Sequence, residues 1–177
     1  LKHGIYATFM AKPMQGQPGS AMHIHQSVVE IDGGRNIFSN ADGSPSKEFF
    51  SFVGGMQRYV PNALVMLAPY VNSYRRLTPD MACPVNNAWG YDNRTTGLRI
   101  PRSPAVARRV ENRIAGADAN PYLAIAASLA AGLAGMDEAL TPTDPIDVSA
   151  SAYKEAHALA RSFLPAHEQM RASEASR

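Results

Sequence analysis

Proline and glycine cut this chain into short pieces, and their spacing limits its architecture more than any other feature. Residues 72–114 contain the run RLTPDMACPVNNAWGYDNRTTGLRIP, short segments broken by Pro and Gly. Such a run reads as loops and short strands, where binding residues concentrate. Upstream, IYATFMAKP (5–13) predicts a strand ending at Pro13, and MQGQPGS (14–20) a loop. MHIHQSVVEI (22–31) predicts a long strand, DGGRN a hairpin turn, NIFSN the returning strand and ADGSPS a further turn.

Helical spacing appears in fewer places. Ser46 is placed to cap a helix over 47–60, and Pro61 either ends it or begins the next, NALVMLAP. RRVENRIAG (108–116) predicts a strand with Val110, Asn112 and Ile114 on one face and Glu111 and Arg113 on the other. Asn120 and Pro121 open the clearest helix, about 121–139, rich enough in Ala and Gly to pack closely on a neighbour. After the linker LTPTDPID, a helix is expected over 151–163 and a polar, fraying tail beyond it. No internal repeat is visible. Strands joined by turns rather than by regular crossovers predict an α+β fold, a largely antiparallel sheet with flanking helices.

At 177 residues the chain is long enough for one domain with a substantial core. The net charge of +2 is too small to argue for nucleic acid, and few aromatics stand among the arginines. The apolar stretch 122–136 falls short of the roughly 20 residues a membrane span needs. A single cysteine, Cys83, excludes an intrachain disulfide framework and fits a reducing compartment, so a cytoplasmic location is expected.

Two features carry chemistry. His23 and His25 stand two apart in a predicted strand and share a face with Ser27, opposite Met22, Ile24 and Gln26. That pattern fits either a polar outer face or a metal or phosphate site, because neutral imidazole is a common metal ligand. Eight of thirteen arginines (Arg75, Arg76, Arg94, Arg99, Arg102, Arg108, Arg109, Arg113) fall within 39 residues. They form either a solvated basic face or a site for phosphate or carboxylate, which a guanidinium binds bidentately. One His with Glu111 among arginines suits a hard divalent cation that holds a nucleotide phosphate. There is no GxxxxGK[ST] loop, so a P-loop is excluded.

Four motifs taken together, GSAMHIHQS, NSYRRLTP, DNRTTGLRIP and VENRIAGADANPYLA, resemble in order and spacing the catalytic domain of the glutamine synthetase family. The phrases KPMQGQPGSAMHIHQS and WGYDNRT look most like the γ-glutamylpolyamine (γ-glutamylputrescine) synthetase branch. The resemblance implies a ligase that phosphorylates the γ-carboxylate of glutamate with ATP and lets an amine attack the acyl phosphate. It implies Mg²⁺ or Mn²⁺, with His23 and Glu111 as metal ligands. It assigns His25, Gln26, Ser27, Arg94 and Arg99 to the nucleotide side and Gly19, Arg76, Arg94 and Arg113 to substrate. Arg94 and Arg113 are then the catalytic arginines. It also implies a ring-type homo-oligomer.

Departures from the family pattern bear on the substrate. Pro18-Gly19 stands where ammonia-using members carry Asn-Gly, and Val106 stands near the place of a nucleotide-side lysine. Ala82 replaces a glutamate that binds ammonium, which leaves room for a larger amine such as an alkylamine or polyamine, with Trp89 and Tyr91 nearby to offer aromatic faces. An ammonia-using enzyme and a non-catalytic scaffold are the alternatives. The resemblance divides the chain into residues 1–140, the second part of the catalytic domain, and 141–177, a linker and helix. The family's N-terminal β-grasp domain and upstream acidic ligands have no counterpart here, so this chain by itself is expected to be inactive.

Overall fold

The structure, a computed structural model, describes residues 2–79, 83–149 and 157–173. Two long helices organise it. Helix α1 (Lys47–Tyr59) begins where Ser46 Oγ accepts a hydrogen bond from Phe49 N at 3.1 Å, and it buries Phe49, Phe52, Val53 and Met56. A 3₁₀ turn (Val60–Ala63) with Pro61 in its first turn leads into α2 (Leu64–Leu67), and α3 (Val71–Tyr74) follows. Helix α4 (Pro121–Asp137) starts at Asn120, whose side chain accepts from Tyr122 N and Leu123 N.

α1 and α4 pack backbone to backbone. A Cβ on Gly55 would stand 2.2 Å from Ala131 O and 2.5 Å from Gly135 Cα, and one on Gly132 would stand 2.2 Å from a Phe52 ring carbon. Only glycine permits that approach, which is the close packing expected of the Ala/Gly-rich helix. Among the described residues no helix is long and apolar enough to cross a membrane.

Four three-residue strands form one sheet in the order β1–β4–β3–β2: β1 (Ile24–Gln26), β2 (Trp89–Tyr91), β3 (Leu98–Ile100) and β4 (Val110–Asn112). β4 pairs antiparallel with both neighbours, whereas β2 and β3 are parallel. A parallel return this short is made possible by Asp92 at φ 50 and by Asn93, whose Oδ1 accepts from both Thr95 N and Thr95 Oγ1. Beyond β1 the pairing resumes at Ala21 and Gly116 with one extra residue on the β4 side, a bulge that contains Arg113. The sheet's inner face is closed by α4: Asn112 Nδ2 donates to Ser128 Oγ, which donates to Gln26 Oε1 at 2.6 Å.

Three expectations fail. No strand forms over 5–13; residues 5–10 have no regular structure, and Ile5, Tyr6 and Phe9 are exposed, because no side chain of that run before Ala11 is buried in the core. The long strand over 22–31 is regular only at Ile24–Gln26, and its expected return NIFSN is no strand either: the turn at residues 37–38 leaves only the isolated bridges Val29 to Asn36 and Ser39 to Pro45. Residues 157–162 are not helical; of the helix expected over 151–163, residues 151–156 lie outside the described residues. Here Asn87 N donates to His157 O and Leu159 N to Val85 O, so tertiary pairing overrides helical periodicity. The helix comes later, as α5 (Phe163–Ala172), in the segment expected to fray; Phe163 packs edge-on to Tyr74 and Ala166 is buried.

Candidate active site

The outer face of the sheet gathers the charged motifs. β4 is an interior strand, so Glu111 has His25 directly across on β1 and Arg99 directly across on β3. Period-2 alternation adds His23 and Arg113 to the same face. Glu111, 2% exposed, is the hub: its Oε1 lies 3.0 Å from His23 Nδ1 and accepts from Arg113 Nη1 at 2.8 Å, and its Oε2 accepts from Arg99 Nη1 at 2.6 Å. Burial pushes the Glu111 pKa up, but the Arg99 hydrogen bond and the charges of Arg113 and Arg99 outweigh it and hold the carboxyl below its ordinary range. Burial and the Arg113 charge lower the pKa of His23 against the opposing pull of Glu111, which favours the neutral imidazole that binds metals.

Next to this hub lies a cavity of about 330 Å³ lined by Gly19, Ser20, His23, Arg76, Cys83 and Arg113 among others. Arg76, which follows α3, is buried; its guanidinium donates to Ile114 O and, at 3.1 Å, to Cys83 Sγ. Burial lowers its pKa, partly offset by Cys83 and Asp118. The Nε atoms of Arg76 and Arg113 are buried with no hydrogen-bond partner among the described residues. Gly19 has no room for a side chain, since a Cβ would stand 2.6 Å from Ala11 O and 2.7 Å from Arg76 Cγ. With Glu111 already committed to its neighbours, two buried guanidiniums leave the cavity positive, suited to a carboxylate or phosphate.

Not every predicted residue reaches this face. His23, Arg76, Arg99, Glu111, Arg113 and Gly19 converge. His25 lies on the same face, and its Nδ1 accepts from Arg109 Nε at 3.1 Å. Ser27 is exposed beyond β1, and Arg94 is exposed in the turn after β2. Gln26 points the other way, into the Ser128 relay, and is not brought to the site. Trp89 is 2% exposed and donates Nε1–H to Thr143 O, so it offers no face to a ligand; Tyr91 is half exposed. Ala82 lies outside the described residues. Arg108 pins the turn after residue 38 through Ser39 Oγ and the carbonyls of Gly43 and Ser44, a structural use of one clustered arginine.

Sequence reasoning missed three neighbours. Arg109 was legible, because it alternates with Glu111 and Arg113. Cys83, against Arg76, had no signal. Asp92, bonded to Arg99, comes to the site only through the left-handed turn after β2.

The donor set fits part of a divalent metal site. An octahedral cation with ligands at about 2.1 Å sets neighbouring donors about 3 Å apart, and His23 Nδ1 and Glu111 Oε1 stand 3.0 Å apart. Among the described residues no group of three or more His, Cys, Asp or Glu could hold a metal, so these two would make up only part of a coordination shell.

Comparison with known proteins is consistent with this geometry. The family model for the glutamine synthetase catalytic domain matches residues 1–177. The chain is 45% identical to the γ-glutamylputrescine synthetase PuuA of Escherichia coli strain K12 over 82% of its length and 31% of that protein. It is 42% identical to a glutamate–isopropylamine ligase of a Pseudomonas species over 95% of its length and 36% of the relative. It is 41% identical to a glutamine synthetase of Pyrococcus abyssi over 79% of its length and 31% of the relative. A solved structure, "Apo GmaS without ligand", superposes with a TM-score of 0.85 at 34% identity over 98% of this chain and 40% of that one. The chain thus spans about a third of the length of these curated relatives.

Proposed function

We propose, because this chain belongs to the glutamine synthetase family, that the whole protein is an ATP-dependent ligase joining the γ-carboxylate of glutamate to an alkylamine or polyamine. The observation that carries the reading is the Glu111 hub beside a cavity with two buried, incompletely satisfied guanidiniums. Two of the relatives are named for an amine other than ammonia, putrescine in one and isopropylamine in the other.

In this reading His23 and Glu111 hold a Mg²⁺ or Mn²⁺ ion. The ion supplies charge neutralisation for phosphoryl transfer. Arg76 and Arg113 bind carboxylate, the unpartnered Nε atoms being free donors for it, and Gly19 lets substrate approach the backbone. Arg99 and Arg113 flank Glu111 and stabilise negative charge as the γ-phosphoryl leaves ADP for a carboxylate oxygen. His25, Ser27 and Arg94 run along the nucleotide. The amine nitrogen then attacks the acyl carbon, phosphate leaves with the C–O bond, and the nitrogen loses a proton. The whole protein assembles as a homo-oligomer in this reading.

The test is ADP release by the whole protein with glutamate, ATP and each amine of a panel. An alkylamine or polyamine is expected to give the highest kcat/KM. Ammonia as the best acceptor makes the protein a plain glutamine synthetase, and no release with any acceptor makes it a non-catalytic member.

A further inference from the structure

Arg99 is shared between two carboxylates. One end, Nη1, donates to Glu111 Oε2 at 2.6 Å, while Nε donates to Asp92 Oδ1 at 3.2 Å and Nη2 bonds the same oxygen. Arg99 and Glu111 are held opposite each other by the β3–β4 register, so the first contact is built into the sheet. The second depends on Asp92, the residue just after β2, which adopts φ 50 and thereby turns its carboxylate back over β3. Glu111 is thus hydrogen-bonded to a cation of its own protein at the oxygen that His23 leaves free.

A dication taken up by Glu111 repels the guanidinium bonded to its second oxygen. Arg99 must then give up Nη1–Glu111 or weaken it. With Asp92 in place, Arg99 keeps two N–H bonds when it does so and stays at the edge of the site. Without Asp92, Glu111 is its remaining carboxylate partner, and the dication has to displace it outright. We propose that Asp92 is a positioning residue that holds Arg99 back from Glu111 and so sets how readily Glu111 is released to a divalent cation. The proposal rests on the assignment of Glu111 as a metal ligand.

The experiment is Mn²⁺ titration of the purified whole protein, without nucleotide, read by calorimetry. Asp92→Asn keeps a side chain that tolerates the left-handed backbone, and Asp92→Gly removes the side chain without straining it. Both are expected to weaken Mn²⁺ binding about threefold to tenfold, the range of couplings between contacting residues. Asp92→Glu is expected to restore much of the loss. In an Arg99→Ala background Asp92→Asn is expected to change nothing, because the group it positions is gone. Equal Mn²⁺ affinity in the parent and both Asp92 variants overturns the proposal. So does an equal loss in the Arg99→Ala background, which would mean that Asp92 acts on the ion by its charge alone. If Glu111→Gln leaves Mn²⁺ affinity unchanged, the metal assignment itself falls, whatever the Asp92 variants do.

Discussion

The α1–α4 contact and the outer face of β4 lie on opposite sides of one short sheet and obey opposed rules. In the contact every local signal agrees: Ser46 and Asn120 cap the helices, Pro121 sits in the first turn, and glycines stand where backbones touch. The outer face gathers groups that burial disfavours. Glu111, Arg76 and Arg113 are nearly inaccessible, and two guanidinium nitrogens have no partner among the described residues. The lesson is a division of labour, in which the apolar layer supplies the rigidity that a charged face needs to hold so many groups in one place.

That contrast can be broken from either side. The largest effect is expected at Gly55→Ala, where a Cβ would meet Ala131 O at 2.2 Å; unfolding free energy should fall by about 3 kcal/mol, the upper end of overpacking costs. Denaturant titration measures it, and Mn²⁺ affinity of the folded protein should stay unchanged. A parallel loss of affinity would show that the two faces are not separable. Next, Glu111→Gln should lower ligase turnover of the whole protein about a hundredfold, or ~2.7 kcal/mol of barrier, while unfolding stays cooperative. Near-normal turnover would remove the outer face from the chemistry.

Ser128→Ala tests the boundary between the two regions, since its hydroxyl joins Gln26 to Asn112 across the inner face of the sheet. Stranding those two polar groups should cost about 1–2 kcal/mol in thermal or denaturant unfolding. An unchanged midpoint would mean that the relay does not tie sheet to helix. The smallest effect belongs to Ser46→Ala, which removes the cap bond to Phe49 N and should cost about 1 kcal/mol with turnover unaffected. Loss of turnover there would mean that α1 reaches the site more directly than its packing indicates.

The same contrast governs what the sequence discloses. Cap residues and the Ala/Gly content of α4 act locally, so both long helices were legible to within two residues. Alternation likewise put Glu111 and Arg113 on one face and Val110 and Asn112 on the other, as observed. What alternation does not contain is the partner. The parallel β2–β3 pair depends on a left-handed Asp92, and residues 157–162 take their conformation from residues 85–87. IYATFMAKP has strand-like composition, yet residues 5–10 are exposed and nothing in the core fixes them as a strand. At the site, the histidines, Glu111 and three arginines were visible as motifs, whereas Cys83 and Asp92 enter through tertiary contacts that composition does not encode.

The pairing of β1 with β4 has a consequence for folding fidelity. Each strand is only three residues long, so few backbone bonds distinguish the native alignment from its neighbours. The side chains make the distinction instead. A slip of β1 by one residue would turn His23 and His25 into the packed layer beneath α4 and set Ile24 and Gln26 in water. Misalignment therefore puts imidazoles into an apolar interior, and the cost of burying them without partners disfavours it. The charged pattern that the chemistry requires also works as a proofreader of the sheet that carries it.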